Sequence, residues 1–191
     1  DVDNNDLMEV TPAIMQLIEL TALRLHNNKL KSLPRIDKLT KLETLNLMNN
    51  QLTQLPGGIG QLTNLTLLSA DSNRLTELPA ALGNLTGLET LIISSNLLKV
   101  LPVELGLLTK LTRLDVESNE LRSIPATIGD LKANGCDVTF DEDVTIEGSE
   151  LWPEVFELMD PGTRVKVSGL KSRPELNGKH GQIVAYAADK E

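Results

Sequence analysis

The sequence predicts an α/β solenoid. Stacked units place short strands in one parallel β-sheet on a concave face, with short helical turns or irregular chain on the convex side. Three observations carry this expectation. The pattern Leu-x-x-Leu-x-Leu-x-x-Asn-x-Leu occurs at Leu20–Leu30, Leu42–Leu52, Leu65–Leu75, Leu88–Leu98 and Leu111–Leu121, with Ala70, Ile93 and Val116 in place of the third leucine. Its asparagines, Asn28, Asn50, Asn73, Asn96 and Asn119, stand 22, 23, 23 and 23 residues apart. A fixed period of this size marks a repeat architecture. Finally, apolar residues make up 40% of the 191 residues but aromatics only 2%, so the core is aliphatic and mostly leucine.

Each half of a unit has its own chemistry. Leu-x-Leu alternates like a half-buried strand, so Leu45 and Leu47 point inward while Asn46 and Met48 point out. The asparagine follows where the chain leaves the strand. There its amide can bond backbone groups that the turn leaves unpaired, and asparagines one unit apart can form a buried ladder (Asn28, Asn50, Asn73, Asn96, Asn119). The stretch after it reads Leu-Pro-x-x-Ile-Gly-x-Leu-Thr-x-Leu, as at Leu55–Leu65. Proline cannot donate to a ladder, so this half predicts helical turns rather than a central strand. One unit cannot bury its own apolar edge, so the units stack.

These residues resemble the leucine-rich-repeat family over roughly residues 2 to 132. The Leu-Pro-x-x-Ile-Gly form is similar to plant intracellular Ras-group-related repeat proteins and the animal Ras-pathway scaffolds like them. The first full unit departs from it, with Ile36-Asp37 and one residue fewer. The resemblance implies a non-catalytic adaptor.

The chain before the first full unit continues the frame. Asn5 lies 23 residues before Asn28, and Val2 falls on the third-leucine position. "DVDNNDL" therefore reads as the tail of an earlier unit. A solenoid needs a polar cap over its first unit, so the expectation is a cap that was removed or a neighbour that covers this end. The same stretch grazes a calcium-loop pattern, but Asp6 replaces the required glycine and Pro12 the terminal glutamate.

After Ile128-Gly129 the pattern degrades. Val138-x-Phe140 keeps it one residue out of register, and Asp143 stands near the asparagine position. Residues 133–160 thus predict a divergent closing unit, followed by a short capping helix in "SELWPEVFELM" with Trp152 and Phe156 on its apolar side. Residues 161–191 change grammar. Two alternating segments, around Arg164–Val167 and Gln182–Tyr186, flank a loop containing Asn177-Gly178. This tail resembles the start of a small SH3-like barrel and the shorter KOW motif. The KOW resemblance implies RNA contact, against which docking of the basic hairpin on the acidic run 134–163 is the simpler reading. Domain limits are accordingly 1–132, 133–160 and 161–191.

Composition narrows the function. The net charge of −9 argues against a general nucleic-acid binder. No stretch approaches the ~20 apolar residues that span a bilayer. A single cysteine, Cys136, fits a reducing compartment such as the cytoplasm. With only His26 and His180, the chain lacks His-pair metal motifs, cysteine clusters and a nucleophile elbow. Gly178-Lys179 has Arg173 and His180 at the flanking positions of a P-loop, so nucleotide binding there is rejected. The sequons at Asn64 and Asn84 read as repeat grammar. No catalytic residue, cofactor or metal is assigned.

The concave sheet remains. One outward column runs Arg24, Asn46, Ser69, Ile92, Asp115; the next runs His26, Met48, Asp71, Ser94, Glu117; a third runs Asn27, Asn49, Ser72, Ser95, Ser118. Leu67 and Leu97 lie on the flanking columns. Basic members gather toward the first units, acidic ones at the last, and Met48, Leu67, Ile92 and Leu97 form an apolar middle. Neighbouring exposed aliphatics on a rigid sheet suit a protein–protein site. The expected function is a scaffold that grips a protein partner on this face. The alternatives are a structural subunit of a large assembly and an RNA-linked factor acting through the tail.

Overall fold

The computed structural model describes residues 2–147, 164–166 and 180–182. The chain divides into two compact units, Asp1–Thr145 and Ile146–Glu191.

In the first unit, strands β1 (Ala22–Arg24), β2 (Thr44–Asn46), β3 (Leu67–Ser69), β4 (Thr90–Ile92) and β5 (Arg113–Asp115) follow one another. They are succeeded by β6 (Ser123–Ile124), helix α1 (Ala126–Ala133), β7 (Asp137–Thr139) and β8 (Thr145–Ile146). One parallel sheet runs β1-β2-β3-β4-β5-β7. Its register aligns Leu23, Leu45, Leu68, Leu91, Leu114 and Val138. The middle four are fully buried, as are Leu47, Ala70, Ile93 and Val116 two residues on. The expected aliphatic spine is therefore present, and the α/β leucine-rich-repeat solenoid is the fold. A small second sheet pairs β6 with β8.

The repeated asparagines bind the coils together, but not through one another. Asn50 Oδ1 accepts the N–H of Leu30 in the preceding unit at 3.0 Å. Its Nδ2 donates back to Leu25 O at 2.9 Å and to Leu47 O of its own unit at 3.1 Å. Asn73 and Asn96 repeat this arrangement. Each of these side chains pairs with backbone, as the sequence suggests, and the stack is held by bonds to the neighbouring coil's backbone instead of by bonds from amide to amide. An amide-to-amide ladder does exist one residue earlier. Asn49 Nδ2 donates to Asn27 Oδ1 at 2.8 Å, and Asn27 Nδ2 to Asn4 Oδ1 at 2.7 Å.

That column (Asn4, Asn27, Asn49, Ser72, Ser95, Ser118) holds every non-glycine residue with positive φ among those described, at 51° to 55°. It is the turn that ends each strand, rather than a third row of the sheet. Asparagine tolerates this left-handed region best among residues with a Cβ. Asn4, with Val2 and Asn5, donates its N–H to the next unit as its counterparts do. The opening residues therefore belong to an earlier unit's turn, as the spacing predicts.

On the convex side, 3-10 turns form at Ile59–Gln61, Ala80–Asn84 and Val103–Leu107. The glycine that follows Ile59, Leu82 or Leu105 lets these turns stack. A Cβ on Gly60 would lie 2.6 Å from Ala81 O, and one on Gly83 would lie 2.7 Å from Glu104 O. The first unit, one residue short, keeps only a single turn there, with Leu39 N–H donating to Ile36 O at 3.0 Å, and no 3-10 helix.

The last unit differs from expectation. Residues that predicted another short turn form the eight-residue helix α1. It ends in a Schellman motif: Cys136 N–H donates to Leu131 O at 3.0 Å and Gly135 N–H to Lys132 O at 3.1 Å, with Gly135 at φ 96°. One extra residue is used, so Val138 pairs with Leu114 at an offset of 24 rather than 23. Asp143 does not assume the asparagine's role. Asp141 closes the ladder instead: its carboxylate accepts the N–H of Ser118 at 2.9 Å and of Asn119 at 3.5 Å.

In the second unit, β9 (Arg164–Lys166) pairs antiparallel with β10 (His180–Gln182), aligning Val165 with Gly181. The two strands pair antiparallel, the second starting two residues earlier than the alternation suggests. The capping helix, Trp152, Phe156 and most of the SH3-like stretch lie outside the described residues.

Candidate functional site: the concave sheet face

Register places the outward side chains in rows across six strands. Asn46, Ser69, Ile92, Asp115 and Thr139 form one row. Asn46 is half-buried, and its Oδ1 accepts Met48 N–H at 3.0 Å. Asp115 does the same for Glu117 N–H at 3.3 Å. These carboxamide and carboxylate groups therefore stiffen the strand ends as well as facing solvent.

Ser69 departs from the expectation. It is 6% exposed, and its hydroxyl donates to Asp71 Oδ1 at 2.7 Å. A small side chain between larger neighbours is covered by them, so Ser69 orients Asp71 rather than offering contact area itself. Ile92, its neighbour in the row, is half-buried, as are Leu67 and Met48. Leu67 lies one strand from Ile92 and two residues along, a diagonal within reach of long side chains. Leu97 is 41% exposed at the edge of the same region. Ser94 is half-buried and Glu117 exposed.

The electrostatics differ from the simple gradient expected. The basic side chains of the first units are matched by acids of the partial unit before them. His26 Nε2 stands 3.3 Å from Asp3 Oδ2, and Lys29 Nζ 2.9 Å from Asp6 Oδ1. Arg24 also has a polar or charged partner. The frame carried the signal for Asp3 and Asp6, which sit 23 residues before His26 and Lys29. His26 Nδ1 is buried and has no hydrogen-bond partner among the described residues. The histidine's partner is thus Asp3, 23 residues earlier in the frame.

At the other end, Arg113 Nη2 is 3.9 Å from Asp115 Oδ2, too long for more than a weak exposed pair. Glu117 and Asp137 are exposed, and no described cation pairs with either. The carboxylates at this end thus outnumber the cations, while at the other end His26 and Lys29 already stand beside carboxylates. Among the described residues, no group of three His, Cys, Asp or Glu side chains could hold a metal ion. No described helix is long and apolar enough to cross a membrane.

A family model described as a leucine-rich repeat region matches residues 4–96. Among curated proteins, none matches the chain. Solved structures do. A leucine-rich-repeat protein of Leptospira interrogans is 33% identical, with a TM-score of 0.68 over 75% of this chain and 36% of that one. The Arabidopsis receptor kinase HAESA, in complex with the peptide hormone IDA and the co-receptor SERK1, gives 28% identity and a TM-score of 0.60 over 70% of this chain and 24% of that one. An octameric complex of Latrophilin 3, Unc5D and the leucine-rich-repeat part of FLRT2 gives 28% identity and a TM-score of 0.54, covering 63% and 39%. This chain spans only about a quarter to two fifths of the chains it resembles.

Proposed function

We propose, on the premise that this is a leucine-rich-repeat protein, that it is a non-catalytic scaffold or adaptor holding a protein partner on its concave sheet. One observation carries the reading: Leu67 and Ile92 stand partly exposed on a diagonal of adjoining strands, in a sheet whose every strand is locked to the next. Rigid strands lose little entropy on binding, and aliphatic groups on them gain by leaving water. Two of the similar structures are complexes, one with a peptide hormone and a co-receptor and one with other protein domains. That supports the binding role by analogy of fold. The finer likeness to Ras-pathway scaffolds, and the reducing compartment suggested by one cysteine, belong to this reading.

The test uses capture from an extract of the source cells with immobilised protein. Leu67→Glu combined with Ile92→Glu should abolish capture while leaving the melting temperature within a few degrees of wild type. Undiminished capture by that folded variant would move the site elsewhere on the molecule.

A further inference from the structure

We infer that the concave face selects a basic, aliphatic partner segment, with its Lys or Arg side chains lying over β5 and β7. This rests on the concave-face reading above and adds the partner's chemistry to it. The face is uneven in a way that residue types alone do not reveal. At its N-terminal end the basic side chains already have carboxylate partners, His26 at Asp3 and Lys29 at Asp6. A partner's acid there would have to displace an existing carboxylate, so it gains little. In the middle, Leu67 and Ile92 offer apolar area with no charge between them. At the C-terminal end, Asp115, Glu117 and Asp137 face out, with Arg113 as the one cation in the outward positions of β5 and β7.

A partner gains on such a surface by placing aliphatic side chains against β3 and β4. Its cations then belong one or two strands further on, at about 5–10 Å from the apolar centre. An acidic partner would instead meet carboxylates that outnumber the one cation, Arg113, and be repelled. Complementary charge of this kind fixes orientation and partner choice more than raw affinity.

A display library of random 16-residue peptides tests this against the whole chain. Winners should combine Lys or Arg with Leu, Ile or Val, and should weaken steeply as salt rises. They should bind Asp115→Asn/Glu117→Gln about tenfold more weakly. They should fail to bind Leu67→Glu/Ile92→Glu. That last variant carries two more negative charges, so mere attraction of basic peptides to an acidic protein would rise rather than vanish. Winners that are acidic or uncharged, or that ignore the Asp115/Glu117 change, would overturn the basic partner while leaving the concave site standing, provided Leu67→Glu/Ile92→Glu still loses them. Winners that bind Leu67→Glu/Ile92→Glu as well as wild type would overturn the site itself. A library that yields no winner would overturn the inference too.

Discussion

Asn73 Oδ1 accepts the N–H of Leu52 at 2.9 Å across the boundary between two repeats, while Asn73 Nδ2 donates to Leu47 O at 2.9 Å and Ala70 O at 3.1 Å. One side chain thus satisfies backbone groups of two coils in a place water does not reach. Asn73→Ala leaves the Leu52 N–H buried without a partner, which costs about 1–3 kcal/mol. Asn119→Ala removes equivalent bonds where the residue is less buried, so water can replace part of them. Urea melts should show a smaller loss at Asn119 than at Asn73. Equal losses would mean that burial does not set the cost.

The turn column supplies a prediction of the opposite sign. Asn4, Asn27 and Asn49 are linked by their amides, but Ser72 breaks the ladder with φ still at 55°. Its hydroxyl does not reach Asn49 Oδ1, which accepts no bond among the described residues. Ser72→Asn should suit the left-handed conformation better and supply the missing donor. The expected gain is about 0.5–1 kcal/mol, read as a higher urea midpoint at constant slope.

How far the sequence reached can be seen in these two columns. Leucine spacing set the strand register at Leu45, Leu68 and Leu91, because a one-residue slip would turn the whole spine outward. It also located the asparagines and the kind of partner they take, backbone, but not which N–H and C=O of the neighbouring coil each one meets. A period says which residues share a row, whereas the partner depends on side-chain torsions. For the same reason Asp3 and Asp6 were legible as positions but not as neutralising charges, and Ser69 was placed outward without its cover. The last unit strayed most. "KANGC" holds the glycine that ends α1, and it is Asp141, not Asp143, whose carboxylate takes the free N–H groups of Ser118 and Asn119.

Glycines on the convex side set how closely coils approach. A Cβ at Gly60 would meet both the carbonyl oxygen and the Cβ of Ala81, at 2.6 and 2.8 Å, so the neighbouring turn must move. Gly60→Ala should therefore destabilise the fold by about 1–3 kcal/mol. Gly57→Ala, where the nearest atom is the Arg35 side chain at 3.4 Å, should be nearly neutral. Thermal melts of the two variants compare the sites directly.

Cys136 is 6% exposed, and burial, with a smaller contribution from the Asp137 carboxylate, pushes its thiol above the ordinary value. The thiolate is the reactive form, so a disulfide reagent at pH 8 should modify the native protein at least about tenfold more slowly than the urea-unfolded chain. Folding favours the neutral thiol, so this contribution to stability is intact below the ordinary thiol pKa. It is lost as pH rises through the raised one. Equal rates in the folded and unfolded protein would place Cys136 at the surface.

Asp141 stands where a further coil would otherwise supply backbone acceptors. In the preceding unit, Ser95 N–H donates to Glu117 O at 2.9 Å and Asn96 N–H to Ser118 O at 3.2 Å. The corresponding N–H groups of Ser118 and Asn119 turn to the Asp141 carboxylate. A side chain has thereby replaced the next turn of the coil. Ser118 is exposed, so water competes for its N–H, and Asp141→Ala should cost only about 1 kcal/mol. Asp141→Asn keeps one carbonyl oxygen as acceptor and should cost less. Hydrogen exchange gives the sharper reading: the Ser118 amide should lose protection in Asp141→Ala and keep part of it in Asp141→Asn, while the Ser95 amide stays unchanged in both. If Ser118 exchanges equally fast in wild type and both variants, the carboxylate does not close the sheet.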